Sequence, residues 1–220
     1  MNAEAPVVEP SPERQWWLRT LAVFQGPRAV FAALRDDSDE AAGARQEPVL
    51  ALVFLAGISG VLLTGARERF LDDPRIDTVL VAVLVFLTGG IYGATTYWLG
   101  GGALHFGLRA AGARGSYRRA RHVLAFAAAP LALMLLLVWP VRLVLYGADS
   151  FRTGGEDEGT GGLVLDGLAA AFVLWSLALL AYGISVVERW TIVRAAVSLA
   201  LVLLALLVLS LPFVIPLSSR

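Results

Sequence analysis

The chain contains no cysteine and no lysine, and it is poor in charge for its length. Without cysteine, disulfides, thiolate metal sites and thiol chemistry are excluded outright. All eighteen basic residues are arginine, a composition that reads as coding bias in a GC-rich genome and not as chemistry. Acidic and basic residues balance to zero net charge, so no overall field draws the chain to nucleic acid or to an acidic partner. Charged residues make up 16% of the chain, where soluble domains carry about a quarter. Those charges crowd into the first 47 residues and a few short gaps. Between them lie apolar runs that only a lipid environment tolerates.

Residues 1–12 are acidic, proline-rich and expected to be disordered. They lack the basic start and short apolar core of a cleavable signal peptide, so the first long run, from Pro48, reads as an uncleaved signal-anchor. Residues 13–47 form a cytoplasmic amphipathic or interfacial segment. Within it, Glu13 to Gln25 reads as a short helix with Trp17, Leu21 and Phe24 at i, i+4 and i+7. Gly26-Pro27 breaks that helix, and Pro27 suits the first position of the next, on which Phe31 and Leu34 share a face. Two adjacent tryptophans and several arginines suit a helix in the headgroup layer; alternatively the same face packs on the bundle's own end.

Residues 48–217 carry five apolar runs, at about 48–66, 78–99, 122–146, 163–187 and 192–217. Each is close to the ~20 residues a spanning helix needs. The fold class expected is therefore an all-α polytopic membrane helix bundle of about five transmembrane helices, preceded by an amphipathic segment. Gly100, Gly101 and Gly102 weaken a helix, so the second run is expected to kink or end there, with a short interfacial helix after it. Pro130 and Pro140 fall inside the third run. Gly89 and Gly93 are spaced for close helix contact, between chains or within one.

Counting arginines near the spans with the N-terminus inside gives ten on the inner side and five on the outer. The positive-inside rule therefore places the N-terminus in the cytoplasm, and the composition points to a bacterial plasma membrane.

Two sets of residues stand out. Arg142 near the end of the third run and Asp166 near the start of the fourth sit at similar depth across one loop. Intramembrane charges usually pair or face the interior, so an ion pair between them is one reading, and separate snorkelling to the interface is the other. Arg109, Arg114, Arg118, Arg119 and Arg121 gather in the inner loop, where basic groups attract anionic lipid or simply set topology. Ser116 there is placed to cap the following helix. His105 and His122 flank the loop but lack a third ligand, so no metal is expected. The acidic stretch Glu156-Asp157-Glu158 lacks calcium-loop spacing and reads as a solvated linker. With no nucleophile beside a base and no phosphate loop, neither catalytic residues nor cofactors are expected.

The segment Phe24 to Phe31 (FQGPRAVF), followed by five close apolar runs, sets a recognisable order. GSYRRARHVLAFAAAPLAL, from Gly115, resembles the turn, basic start and mid-helix proline of the Yip family, the Ypt/Rab-interacting membrane proteins. WSLALLAYGISVVERWTIVRAAVSLAL, from Trp175, is similar to that family's fourth and fifth spans. The likeness runs from about Pro27 to Pro212. It implies a five-helix bundle with a cytoplasmic N-terminus. In eukaryotes the family is tied to vesicle traffic and small GTPases. This chain lacks the Asp-Leu-Tyr-Gly-Pro motif before the bundle, so no GTPase-binding residue carries over. The function expected is a non-enzymatic scaffold or adaptor that binds membrane lipids, another membrane protein or a second copy of itself. A small-solute transporter or channel is the alternative.

Overall fold

The computed structural model describes residues 12–218; the start expected to be disordered lies, but for Pro12, outside the described residues. Ten α-helices follow one another: α1 (Pro12–Ala22), α2 (Pro27–Ala33), α3 (Asp39–Ala44), α4 (Gln46–Leu62), α5 (Thr78–Thr95), α6 (Gly101–Ala110), α7 (Tyr117–Ala127), α8 (Ala129–Tyr146), α9 (Thr160–Glu188) and α10 (Ile192–Ser218). Short capping residues start several of them. Ser38, Asp77 and Ser116 each accept a hydrogen bond from a backbone N–H of the first turn that follows, at 3.3, 2.7 and 3.0 Å. Pro27 opens α2 with a φ already suited to helix.

Three helical rods are long and apolar enough to cross a membrane, namely Thr78–Ala110, Tyr117–Phe151 and Thr160–Glu188. Two shorter apolar helical stretches, Gln46–Leu62 and Ile192–Val208, accompany them. Their outer faces display Val79, Leu87, Val144, Leu201 and Leu207 to the surroundings. A surface of that kind is at ease only in hydrocarbon, where the backbone must satisfy itself within helices. The chain is an all-α polytopic membrane bundle.

The three consecutive glycines do not end the second rod. Thr96–Gly100 forms a π-helical turn that joins α5 to α6 without a break. Tertiary contacts outweigh the low helix propensity here. A side chain at Gly101 would collide with the Arg121 side chain, and the Tyr117 hydroxyl donates to the Trp98 carbonyl at 2.6 Å, in the widened turn. The third run, in contrast, is two helices that meet at Ala128, because Pro130 has no N–H to continue the ladder and instead sits in the first turn of α8. Pro140 stays within α8.

α4 packs on both α5 and α8, and α9 on α8 and α10. The α4–α5 crossing is closest where Gly57 faces Gly89 and Gly93, so the glycine pair serves a contact within one chain. A Cβ at Gly57 would fall on the Gly89 carbonyl oxygen and the Gly93 Cα. Gly57→Val should therefore force the helices apart and cost about 1–3 kcal/mol, read as a lower Tm in detergent. Gly167→Ala is the comparator: a Cβ there meets nothing within 4 Å, and the Tm should hold or rise slightly.

At the bundle end that receives the N-terminal helices, one core joins Phe31 and Leu34 of α2 to Val49, Phe126 and Ile184. A second core at the far end gathers Val81, Met134, Val138, Trp139 and Phe151. Of the two placements open to the Trp17 and Leu21 face, α1 leaves that face outward and packs another on the bundle. Trp16, Thr20 and Val23 are buried, whereas Trp17 and Leu21 are exposed. The tilted contact of Trp16 with Phe126, 5.6 Å between centroids, fixes the inward face.

Candidate functional site

Charge collects at the two ends of the bundle, each time around an arginine. At the N-terminal end it is Arg45, the residue where α3 stops and α4 starts. Its side chain is fully buried. The Nε donates to His122 Nδ1 at 2.8 Å, Nη1 to the Asp36 carbonyl at 2.7 Å, and Nη2 to Asp37 Oδ1 at 3.2 Å. The Trp16 ring lies 5.6 Å from the guanidinium carbon. A guanidinium offers five donors in a rigid fork, and three of its directions are taken here by two distant stretches of chain, Asp36-Asp37 and His122. Because His122 accepts at Nδ1, its imidazole is neutral and carries its proton on Nε2.

Asp37 is shared. It also receives Arg118 Nε at 3.0 Å and the Ser116 hydroxyl, while Arg118 Nη1 reaches Asp39 at 2.7 Å. Burial opposes the Asp37 charge, but the bonds from Ser116 and Arg118 outweigh it and hold the carboxyl below the ordinary aspartate range. Burial likewise lowers the Arg45 value, and Asp37 opposes that; the group stays a cation all the same, since arginine's ordinary value lies so high. Arg119 donates to the Arg35 carbonyl at 2.8 Å, and Arg35 Nε to the Val186 carbonyl at 3.1 Å. The segment after α2 is thereby tied to α7 and to the end of α9.

The five loop arginines therefore do not form one open patch. Arg118 and Arg119 face inward to the segment after α2, and Arg121 lies over Trp98, 3.8 Å from the ring centroid, with Tyr117 at 4.5 Å. Arg109 and Arg114 are exposed, and the Arg114 backbone N–H meets Glu188 Oε2 at 3.1 Å. His105 packs against the rings of Phe106 and Tyr117. Among the described residues no group of three or more His, Asp or Glu converges on a point that could hold a metal ion.

At the far end the centre is Arg142. Its Nη1 lies 2.6 Å from Asp166 Oδ1 and its Nη2 3.0 Å from Asp157 Oδ2. Arg67 adds a longer contact to Asp166, 3.4 Å, and with Arg142 it flanks the Trp139 ring. The two acids differ in setting: the Asp157 side chain is 4% exposed and that of Asp166 46%. Asp157 comes from the acidic loop, which is not a free linker. Its neighbour Phe151 stacks on Trp139, and the Phe151 carbonyl accepts from the Leu71 N–H at 2.9 Å. Nothing in the loop's composition distinguishes Asp157 from Glu156 and Glu158; burial alone does.

At both ends the paired charges hold distant chain segments together. Together they define a membrane bundle of helices with a helical cap latched to one end. The Yip1 domain matches residues 21–212, from the end of α1 to the last helix, and the chain belongs to that family. No curated protein and no solved structure matches it.

Proposed function

We propose that the chain is a non-enzymatic adaptor of a bacterial plasma membrane, with its N-terminus in the cytoplasm, an orientation the arginine distribution supports. The observation that carries this reading is the latched cap. Arg45 and the residues around it tie the α1 to α3 segment to the bundle, while Trp17, Leu18 and Leu21 on the outer face of α1 stay exposed. Arg109 and Arg114 are left open on the same inner side. Exposed apolar and basic residues are the combination that engages an anionic leaflet or the membrane-proximal part of another protein. Transport has less support, because the charged groups are spent at the ends and the space between the helices is walled mainly by apolar side chains.

The test is native mass spectrometry of the protein in patches of its own membrane. Retained anionic lipid or a retained protein partner is expected. With Arg109→Gln and Arg114→Gln combined, lipid retention should fall tenfold or more, at roughly 1 kcal/mol per arginine. The Tm should stay unchanged, since neither side chain braces the fold. A bare bundle that instead passes a small solute in sealed vesicles would overturn the adaptor reading.

A further inference from the structure

Between the helices lies a cleft of about 420 Å³, open along one side. It is bounded by α4, the α5 π-turn, the joint of α7 and α8, and α9. Both helix irregularities border it. Tyr97 belongs to the π-turn, and Ala127 and Ala128 are the joint before Pro130. π-turns occur often at functional sites, and here small residues at the joint leave the space unfilled.

Along α4 the wall runs from Val53 to Gly60, roughly 10 Å at the helical rise, and continues past the helix end to Leu63 and Thr64. The cleft is thus elongated along the helices, in the direction lipid chains take. Its size falls within the ~300–1,000 Å³ of sites that hold one small molecule. One polar atom in it is unexplained: the Ser176 hydroxyl, on α9, is buried to 9% exposure and has no hydrogen-bond partner. Buried polar groups are rarely left unpaired, and this one lines the cleft.

The geometry points to a binding site for an elongated lipid that carries a carbonyl oxygen, with its hydrocarbon chain along α4 and the oxygen accepting from Ser176. The mainly apolar walls favour a hydrocarbon chain over a polar solute. An acyl ester of a phospholipid and a prenyl quinone share this chemistry. The site is separate from the exposed arginines and the outer face of α1, so it stands or falls independently of the adaptor reading.

Two photoactivatable probes test it, a diazirine-bearing phosphatidylglycerol and a diazirine-bearing prenyl quinone. Each is added to vesicles of phosphatidylethanolamine and phosphatidylglycerol that hold the full chain, and labelled peptides are mapped. Saturable labelling of α4 and of α9 around Ser176 is expected, competed by the matching unlabelled lipid; the probe that is competed identifies the source of the carbonyl. Ser176→Ala should weaken labelling about 5-fold, the effect of one lost hydrogen bond. Ala128→Leu and Val173→Phe, on separate helices, should each abolish it by filling the cleft, and whichever retains the wild-type Tm is the one interpreted. Labelling spread evenly over lipid-facing residues such as Val144 and Leu201 would overturn the site. So would cleft labelling that Ser176→Ala leaves unchanged.

Discussion

Replacing Arg45 with methionine releases the N-terminal cap from the bundle. The substitution keeps much of the side-chain volume but removes the donors that join Asp36, Asp37 and His122. Asp37 keeps Arg118 and Ser116, while the Asp36 carbonyl and His122 Nδ1 lose their partner inside the protein. Breaking a buried charged contact from one side typically costs about 3–5 kcal/mol. The expected result is a clear loss of Tm in detergent. Backbone amides in α2 and α3 should also exchange hydrogen at least a hundredfold faster, at 1.4 kcal/mol per factor of ten. Amides of α8 and α9 near Arg142 should not change. Unaltered exchange in α2 and α3 would show that Phe31 and Leu34 alone hold the cap.

The same centre sets a pH limit. The Asp37 carboxyl is held below its ordinary value, so the unfolded chain binds a proton more readily than the folded one. Its contribution is fully present above the unfolded value of about 3.9 and is lost as pH falls through the lower folded value. The Tm should therefore be insensitive to this group between pH 5 and 7, both roughly a unit or more above that value, and should fall under stronger acid. Asp37→Asn should flatten that acid limb.

The second large effect is expected at Arg142. Arg142→Leu leaves Asp157 buried at 4% exposure without its arginine, and about 3–5 kcal/mol should be lost. Double-mutant cycles separate the two acids. The Arg142–Asp157 coupling should reach about 2–3 kcal/mol, the upper range for residues in contact. The coupling of Arg142 to Asp166 should stay under about 1 kcal/mol despite its shorter distance of 2.6 Å. Asp166 is nearly half exposed, and exposed pairs are worth little; Arg67 also stands by as a second partner. A larger coupling to Asp166 than to Asp157 would reverse this ranking.

Much of this architecture is legible in the chain alone because it rests on local chemistry. Long apolar runs must be helical in lipid, since no other open structure satisfies the backbone there. Gly26-Pro27 stops one helix and starts another, and Ser116 caps a third, each through groups within a few residues of one another. Arg142 and Asp166 stand out because any charge in an apolar run needs a reason. Phe31 and Leu34 mark the inner face of α2 because few other large apolar residues compete for it.

What the chain could not show by itself depends on groups far apart in sequence. Arg45 reads as an ordinary charged residue before a span, and only His122, 77 positions away, makes it the centre of a latch. Asp157 is one of three adjacent acids until Arg142 selects it. Whether the Trp17 and Leu21 face of α1 packs on the bundle or faces outward stayed open until Phe126 met Trp16. The glycine trio looked like a helix kink or end because propensity counts only local cost, whereas Gly101 packs too closely on Arg121 to carry a side chain and the helix runs on through a π-turn. Hydropathy, caps and breaks act over a few residues and can be read along the chain, but the pairing of buried charges and the choice among apolar faces are settled only when distant helices come into contact.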